Sequence, residues 1–349
     1  MKQWLFFLGA ACAAHPAPAP YGERRSAHFD HVVLVSIDGL RSDALIAEPP
    51  AALPNFARLR RGASTLNART DPDWTVTLPN HTSMLTGRLV HGDGGHGWTH
   101  NDEPEPDATL HRQRGAYVQS VLDVAHDHGL HTGIVASKTK FVLYDQSYAE
   151  AAGAPDTTGP DDGRDKLDRY AFESKPEGVT SRALELLSAA SGRSFLFLHY
   201  GAPDVTAHAH GWDVTPGSKY LQSLARVDVQ LGRLLDAIEA SDSLRGKTAL
   251  VLTADHGGGA PFKSHDQPHM WVDYVIPFCV WTGGNDAREL YALNTTTRRD
   301  PGLWQVAHDA EGLPPIRNGD AANLVLDLLG LPPVERSTIN AQQDLRWSE

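Results

Sequence analysis

The chain has 349 residues, of which 41% are hydrophobic and 8% aromatic, so it can bury a large core as one α/β domain or at most two units. Its formal net charge of −12 argues against binding of duplex nucleic acid through overall charge. A locally positive metal site can still attract an anionic substrate, so the acidity does not exclude phosphate chemistry.

The N-terminus, residues 1–20, has the order of a secretory signal. Lys2 precedes a short apolar run at 4–14, and a proline-rich stretch follows at 15–20. We therefore expect export to the periplasm or the extracellular space. The apolar run is too short to span a bilayer stably, so we expect no membrane span. A lipid anchor on Cys12 is the alternative, although Cys12 lies one residue out of register with a lipoprotein processing box.

Buried strands alternate with helical patterns along the chain. The strand segments are continuous runs of β-branched or aromatic residues, typical of a sheet covered on both faces. They span 31–37, 132–137, 194–200, 248–253 and 276–281. Apolar residues at helical spacing predict helices at 117–128, 220–239 and 320–329. The alternation predicts a mostly parallel central sheet with helices on both faces, in a single α/β domain over 28–335.

Three segments of that domain have the composition of loop insertions. The segment 90–114 is rich in Gly and His, 153–175 is rich in Asp, Gly and Pro, and 283–315 is irregular. Because ligand pockets are commonly shaped by long loops, we expect these insertions to decide substrate choice.

Three aspartates follow predicted strands, and ligands collect at the carboxyl ends of strands in parallel sheets. Asp38 comes directly after the first strand, beside Gly39. Asp204 and Asp255 come just after the strands at 194–200 and 248–253. A carboxylate in that position is well placed to hold a cation. For Asp38, a simple helix N-cap is the alternative.

Thr77 opens the stretch Thr77-Leu-Pro-Asn-His81, in which Pro79 suits the first turn of a helix. Thr77 would then stand just ahead of a helix N-terminus, where free N–H groups and the helix dipole favour an anionic phosphate. A threonine hydroxyl is a poor nucleophile until a metal ion lowers its pKa. A plain N-cap is the alternative for this residue as well.

Histidines accompany two of the aspartates. His208 follows Asp204 by four residues, a spacing that lets both side chains meet one ion, and His256 is adjacent to Asp255. His265 follows a glycine-rich loop, and His269 competes with it on spacing alone. These Asp, His and Thr side chains have the chemistry to bind two divalent cations and keep a nucleophile beside them, as in a phosphate ester hydrolase.

In their order and spacing these residues resemble the alkaline phosphatase superfamily, and within it the type I phosphodiesterase and nucleotide pyrophosphatase family. The likeness covers roughly residues 30–285. It implies one zinc on Asp204, His208 and His265, and a second on Asp38, Asp255, His256 and the Thr77 oxygen. It also implies that Thr77 forms a covalent phospho-enzyme intermediate. His265 fits the family pattern better than His269 because of its distance from the strand at 276–281.

The resemblance extends to residues that would touch the substrate. Asn101, in the stretch His96-Gly-Trp-Thr-His-Asn101, matches an asparagine that binds a phosphate oxygen; a loop-capping role is the alternative. Lys138 and Lys140 resemble a lysine pair that grips terminal phosphate oxygens in related monoesterases and in phosphonoacetate hydrolase; a solvated pair is the alternative.

The sequence therefore predicts a hydrolase of small phosphorylated substrates that cleaves phosphodiester or nucleotide pyrophosphate bonds. The first alternative is a monoesterase or phosphonate hydrolase that uses Lys138 and Lys140, and the second is a non-catalytic metal-binding protein. Because histidine binds metal only when neutral, we expect activity to be lost in acid. The leaving group and the oligomeric state are not indicated by the sequence.

Overall fold

The computed structural model describes residues 28–49, 51–259, 263–267, 269–302, 305–306 and 312–348, and an eight-stranded sheet runs through them. Its strands are β1 (His31–Ile37), β2 (Ala63–Arg69), β3 (His131–Ala136), β4 (Arg169–Phe172), β5 (Ser194–Tyr200), β6 (Thr248–Thr253), β7 (Val275–Trp281) and β8 (Arg288–Glu289). The predicted signal at 1–20 and the alternative anchor at Cys12 lie outside the described residues.

The strand order across the sheet is β4-β3-β5-β1-β6-β7-β2-β8. The first five strands in this order, from β4 to β6, are parallel to one another. Strand β7 is antiparallel to both β6 and β2, and β8 pairs in parallel with β2. Among these eight strands only β7 therefore runs against the others, so the prediction of a mostly parallel sheet is confirmed.

Helices cover the sheet in two groups. They are α1 (Ala44–Ala47), α2 (Pro54–Leu59), α3 (Thr77–Thr86), α4 (Leu110–Arg114), α5 (Val121–Asp127), α6 (Val142–Tyr148), α7 (Pro176–Ala189), α8 (Ala202–His210), α9 (Lys219–Ala240), α10 (Trp271–Tyr274), α11 (Leu290–Leu293) and α12 (Asp320–Leu328), with a 3₁₀ turn at Thr139–Phe141. In one group α2, α7 and α8 pack on α9; in the other α3 and α5 pack on α12.

The hydrophobic runs explain this layering. All seven side chains of β1 are buried, and so are all seven of β5. Because successive side chains of a strand point to opposite faces, such strands need cover on both sides. The long helix α9 buries a stripe at helical spacing that includes Leu224, Val227 and Leu231. The predicted layers of helix, sheet and helix are therefore confirmed.

Several elements differ from the expectation. Strand β2 has no hydrophobic run, because polar Ser64, Thr65 and Asn67 interrupt it, and β4 is a short, half-exposed edge strand. The helix expected at 117–128 begins only at Val121, because the side chain of Ser120 accepts from Leu122 N–H and forms a capping box with Asp123.

The three predicted insertions contain short elements of their own. Helix α4 ends the segment 90–114, β4 lies within 153–175, and β8 with α11 lies within 283–315. Within the described ranges, none of the helices combines the length and the apolar composition that a bilayer crossing requires.

Candidate active site

The carboxyl ends of β5, β1 and β6 are adjacent in the sheet, and each is followed by one of the three aspartates. Asp38 leaves β1 and donates its backbone N–H to the carbonyl of Tyr200 on β5, at 3.1 Å. Asp255 follows β6, and its Oδ1 accepts from the N–H of Gly39 at 3.1 Å. Asp204 lies in the first turn of α8, directly after β5. The parallel strands therefore bring together carboxylates that are far apart in the sequence.

One candidate cation site consists of Asp204, His208 and His265, whose ligand atoms lie within 4.8 Å of one another. Oδ1 of Asp204 is 3.3 Å from Nε2 of His208 and 3.9 Å from Nε2 of His265. Each histidine bonds a backbone carbonyl through Nδ1, that of Lys263 for His208 and that of Thr75 for His265. Both Nε2 atoms are thereby left for a ligand. His269 is exposed and lies in neither cation site.

A second candidate site is fully buried and adjoins the first. Asp38, Asp204 and His256 have ligand atoms within 4.8 Å of one another. Nε2 of His256 lies 3.6 Å from Oδ1 of Asp38 and 3.2 Å from Oδ2 of Asp255, and its Nδ1 bonds the carbonyl of Gly257 at 2.9 Å. Asp38, Asp255 and His256, three members of the set implied by the resemblance, therefore lie together here, and Asp204 takes part in both groups.

Four ligand atoms in these sites are buried without a hydrogen-bond partner of acceptable geometry. They are Oδ1 of Asp38, Oδ1 of Asp204, Oδ2 of Asp255 and Nε2 of His256. A buried polar atom without a partner costs about 1–3 kcal/mol, and more when it is charged. Because all four point into the same region, divalent cations would satisfy them together.

Burial controls the protonation of these groups. It lowers the pKa of His256 to about 3, with His265 adding to the effect, and it also lowers the pKa of His265. Burial and the charge of Asp38 raise the pKa of Asp255 well above its ordinary value. A neutral imidazole is the form that binds a cation, and a nearby cation favours ionisation of Asp255. The electrostatics therefore fit a metal site.

Thr77 is buried at the first position of α3, which has Val76 as its N-cap. The helix thus begins at Thr77 itself, one residue earlier than the sequence suggests. The Thr77 hydroxyl is 3.3 Å from Nζ of Lys138. Its carbonyl bonds Nδ1 of His81 at 2.8 Å, which anchors the start of the helix to the buried His81 ring. Because Lys138 also contacts Asp38 and Asp204, the Thr77 hydroxyl lies beside the candidate cation sites.

Lys138 and Lys140 follow β3 and enter the same region. Nζ of Lys138 lies 2.6 Å from Oδ2 of Asp38 and 2.7 Å from Oδ2 of Asp204. Burial acts to lower the Lys138 pKa, but Asp38, Asp204 and Asp255 outweigh it and raise that pKa above its ordinary value. Burial and Lys138 lower the pKa of Lys140. The alternative of a solvated lysine pair is therefore wrong, because Lys138 bridges two candidate ligands.

The side-chain amide of Asn101 is held in place through its oxygen, Oδ1. Oδ1 accepts from the N–H of Leu78 at 2.9 Å and from Nζ of Lys140 at 3.0 Å. Both interactions require the oxygen in that position, so Nδ2 is the donor group that remains on this side chain. This arrangement links Asn101 to the second residue of α3 and to Lys140.

Two buried histidines beside the site had no role assigned to them from the sequence. His199 lies near the end of β5 and contacts Asp38, and His81 lies in α3 with Nδ1 at 3.7 Å from Oδ2 of Asp255. A histidine inside the apolar run of β5 was the available signal for His199. Its interpretation required the pairing of β5 with β1, which the local sequence does not reveal.

Comparison with known proteins agrees with this geometry. The family model described as type I phosphodiesterase / nucleotide pyrophosphatase matches residues 32–276, which is more than half of the chain. The chain belongs to this family. As a member of the type I phosphodiesterase / nucleotide pyrophosphatase family, it is a phosphoric ester hydrolase.

Several solved structures share this fold. A protein of the alkaline phosphatase superfamily from Vibrio parahaemolyticus is 13% identical, with a TM-score of 0.56 over 91% of this chain and 70% of that chain. The C-terminal periplasmic domain of EptC from Escherichia coli, in complex with Zn, is 15% identical (TM-score 0.55; 93% and 88% covered). Murine ectonucleotide pyrophosphatase / phosphodiesterase 5 is 17% identical (TM-score 0.52; 90% and 100% covered). At these identities the likeness concerns the fold.

Proposed function

We propose that the protein hydrolyses phosphate esters with two divalent cations and Thr77 as its nucleophile. The observation that carries this proposal is the convergence of four buried, unpartnered ligand atoms beside the hydroxyl-bearing N-terminus of α3. One cation would bind Asp204, His208 and His265; the other would bind Asp38, Asp255 and His256 with the Thr77 oxygen. The Asp and His ligands suit zinc.

Bound cations would lower the pKa of the Thr77 hydroxyl and of a water molecule and would stabilise the leaving oxygen. Thr77 Oγ1 attacks phosphorus after losing its proton to solvent, and the bond from phosphorus to the leaving-group oxygen breaks in line. Asn101 donates from Nδ2 to a phosphoryl oxygen, where negative charge develops. The positive end of the α3 dipole favours the same anion. A water molecule then loses a proton and attacks phosphorus, and the bond from phosphorus to Thr77 Oγ1 breaks. Oγ1 takes up a proton from solvent, and phosphate or a phosphomonoester is released.

Family membership favours phosphodiester and nucleotide pyrophosphate bonds as substrates. The lysine pair supports a second candidate, a monoesterase or phosphonate hydrolase. Nζ of Lys138 lies 3.3 Å from the Thr77 hydroxyl, and Lys140 bonds Asn101, so both cationic groups border the position of the phosphoryl group. A dianionic monoester gains more from two lysines than a monoanionic diester does.

Hydrolysis assays with added zinc test the proposal. The substrates are p-nitrophenyl phosphate, bis-p-nitrophenyl phosphate and a nucleoside triphosphate, and the variants are Thr77→Ala and Thr77→Ser. We expect Thr77→Ala to lower kcat by about 10³-fold or more and Thr77→Ser to retain part of the activity, because only serine keeps a hydroxyl. Turnover that survives both chelation and Thr77→Ala would refute the proposal.

The lysine pair is tested with the double variant Lys138→Ala/Lys140→Ala in the same assays. The monoesterase candidate predicts a loss of kcat/KM for the monoester at least about tenfold greater than for the diester, because a dianion loses more electrostatic stabilisation. The matched control is the double variant Lys219→Ala/Lys247→Ala, which replaces two exposed lysines. Equal losses on both substrates would exclude a role for the pair in selecting monoesters.

A further inference from the structure

His199 is a fully buried residue of β5 whose ring connects two parts of the candidate active site. Its Nε2 lies 2.9 Å from Oδ2 of Asp38 on the neighbouring strand β1. On the other side of the ring, the backbone N–H of Ser137, in the turn that leads to Lys138, donates to Nδ1 at 3.2 Å. The ring therefore spans from the end of β3 to the end of β1.

The contact with Ser137 fixes the ring proton. A backbone N–H can only donate, so Nδ1 must present its lone pair, and the proton of the neutral ring lies on Nε2. His199 thus donates from Nε2 to Asp38. The ring itself is confined, because it stacks on Phe141 with centroids 4.2 Å apart and meets the edge of His81 at 5.0 Å.

This donation has a consequence for the Asp38 carboxylate. Oδ2 faces two donors, Nε2 of His199 at 2.9 Å and Nζ of Lys138 at 2.6 Å. Oδ1 has no hydrogen-bond partner and lies 3.6 Å from Nε2 of His256. A carboxylate held in this way by one oxygen cannot turn freely, and it presents the other oxygen to the buried cation site.

We propose that His199 is a positioning residue for Asp38, holding the carboxylate in the rotation in which Oδ1 binds the cation. The inference rests on the proposed function, since it takes Asp38 as a metal ligand. Partners that orient a ligand in this way typically contribute about 10–100-fold to metal affinity. A change at His199 should therefore appear first in zinc binding and only secondarily in turnover.

The test compares His199→Gln, His199→Asn and His199→Phe by zinc titration against a chromophoric chelator. A glutamine amide reaches the position of Nε2 and can still donate to Asp38, whereas asparagine reaches only the position of Nδ1. Phenylalanine keeps the ring contacts without either hydrogen bond. We expect His199→Gln to bind zinc with nearly the wild-type affinity. We expect His199→Asn and His199→Phe to bind zinc about 10–100-fold more weakly at one of the two sites.

A kinetic readout separates positioning from a structural defect. With a positioning role, excess zinc restores the kcat of His199→Asn and His199→Phe, because only the affinity is lost; a misfolded site is not restored. Wild-type zinc affinity in His199→Phe, or a low kcat at saturating zinc in both variants, would overturn the inference. Asp38→Asn serves as the reference for the proposed function: if it still binds two zinc ions tightly, the assignment of Asp38 as a ligand fails, whatever the His199 variants do.

Discussion

At the scale of single residues, the ligands of the candidate site differ in how they hold protons. Burial acts to raise the pKa of Asp38, but Lys138 and His199 outweigh it and hold that pKa well below its ordinary value. The pKa of Asp204 is lowered to about 2, because Lys138 and His208 outweigh burial and the charge of Asp38. His208 behaves in the opposite way from the other candidate histidine ligands, because the Asp204 carboxylate, 3.3 Å from its Nε2, raises its pKa.

These shifts predict that the two cation sites respond differently to acid. Below the raised pKa of His208 a proton competes with the cation, so affinity at Asp204, His208 and His265 rises with pH and levels off above that pKa. In the second site His256, with a pKa lowered to about 3, stays neutral in mild acid, and a bound cation favours the ionised form of Asp255 against its raised pKa. We expect the zinc content, measured after equilibrium dialysis, to fall from two equivalents to one as the pH is lowered through the raised pKa of His208.

The control for this pH experiment is the variant His208→Asn, which should bind one equivalent of zinc tightly at every pH that is tested. If the wild type released both equivalents of zinc at the same pH midpoint, the two sites would not differ in their response to protons, and the prediction would be wrong.

At the scale of secondary-structure elements, short helices are fixed by polar groups from other elements. Helix α2 has six residues, and its N-terminus is capped by Asp228 of α9. Oδ1 of Asp228 accepts from the N–H groups of Asn55 and Phe56, at 3.0 and 2.8 Å, and Oδ2 accepts from the Asn55 amide at 3.0 Å. A helix this short is marginal by itself, so such capping decides whether it forms.

We therefore expect Asp228→Ala to lower the free energy of unfolding by about 1–3 kcal/mol, because it leaves the buried N–H of Phe56 and the half-buried N–H of Asn55 without their acceptor. Urea denaturation measures this loss. Asp236 lies on the same helix with 75% of its side chain exposed, and Asp236→Ala should change stability by less than about 0.5 kcal/mol. If Asp236→Ala lowered the free energy of unfolding more than Asp228→Ala does, a stabilising role of the Asp228 cap would be contradicted.

At the scale of the whole molecule, the C-terminal part of the chain completes the site. The family model ends at residue 276, yet Asn318, just ahead of α12, donates from Nδ2 to Oδ1 of Asn80 at 2.9 Å and to the carbonyl of Asp255 at 3.2 Å. Asn80 also accepts from the N–H of Asp71 at 3.0 Å. The start of α3 is thereby fixed relative to the ligand-bearing end of β6.

Metal removal is also expected to affect the stability of the whole molecule. Asp38, Asp204 and Asp255 are buried together, so their mutual repulsion is relieved when cations bind the folded state. Binding at about 1,000 times Kd contributes about 4 kcal/mol by mass action. We expect EDTA to lower the thermal unfolding midpoint and added zinc to restore it, by scanning calorimetry. An unchanged midpoint in EDTA, with metal removal verified by elemental analysis, would contradict metal binding to the folded protein.

The sequence by itself determined the five central strands, the stripe of α9 and the candidate ligands, because hydrophobic runs and residues such as Asp38 and Asp255 at strand ends are local signals. Its assignment of roles to these ligands remains a prediction. The mixed composition of β2 and the exposure of β4 gave no such signal, so those strands emerged only from pairing with β7 and β3.

The tertiary structure alone decided which side chains meet. Pairing of β1 with β5 brings His199 to Asp38, and the pairing of β3 with β5 brings Lys138 to the same carboxylate. These contacts depend on strand order, which is set by burial on both faces of the sheet and by long-range hydrogen bonds. No local pattern encodes that order, so the contacts of Lys138 and His199 with Asp38 form only when the sheet is assembled.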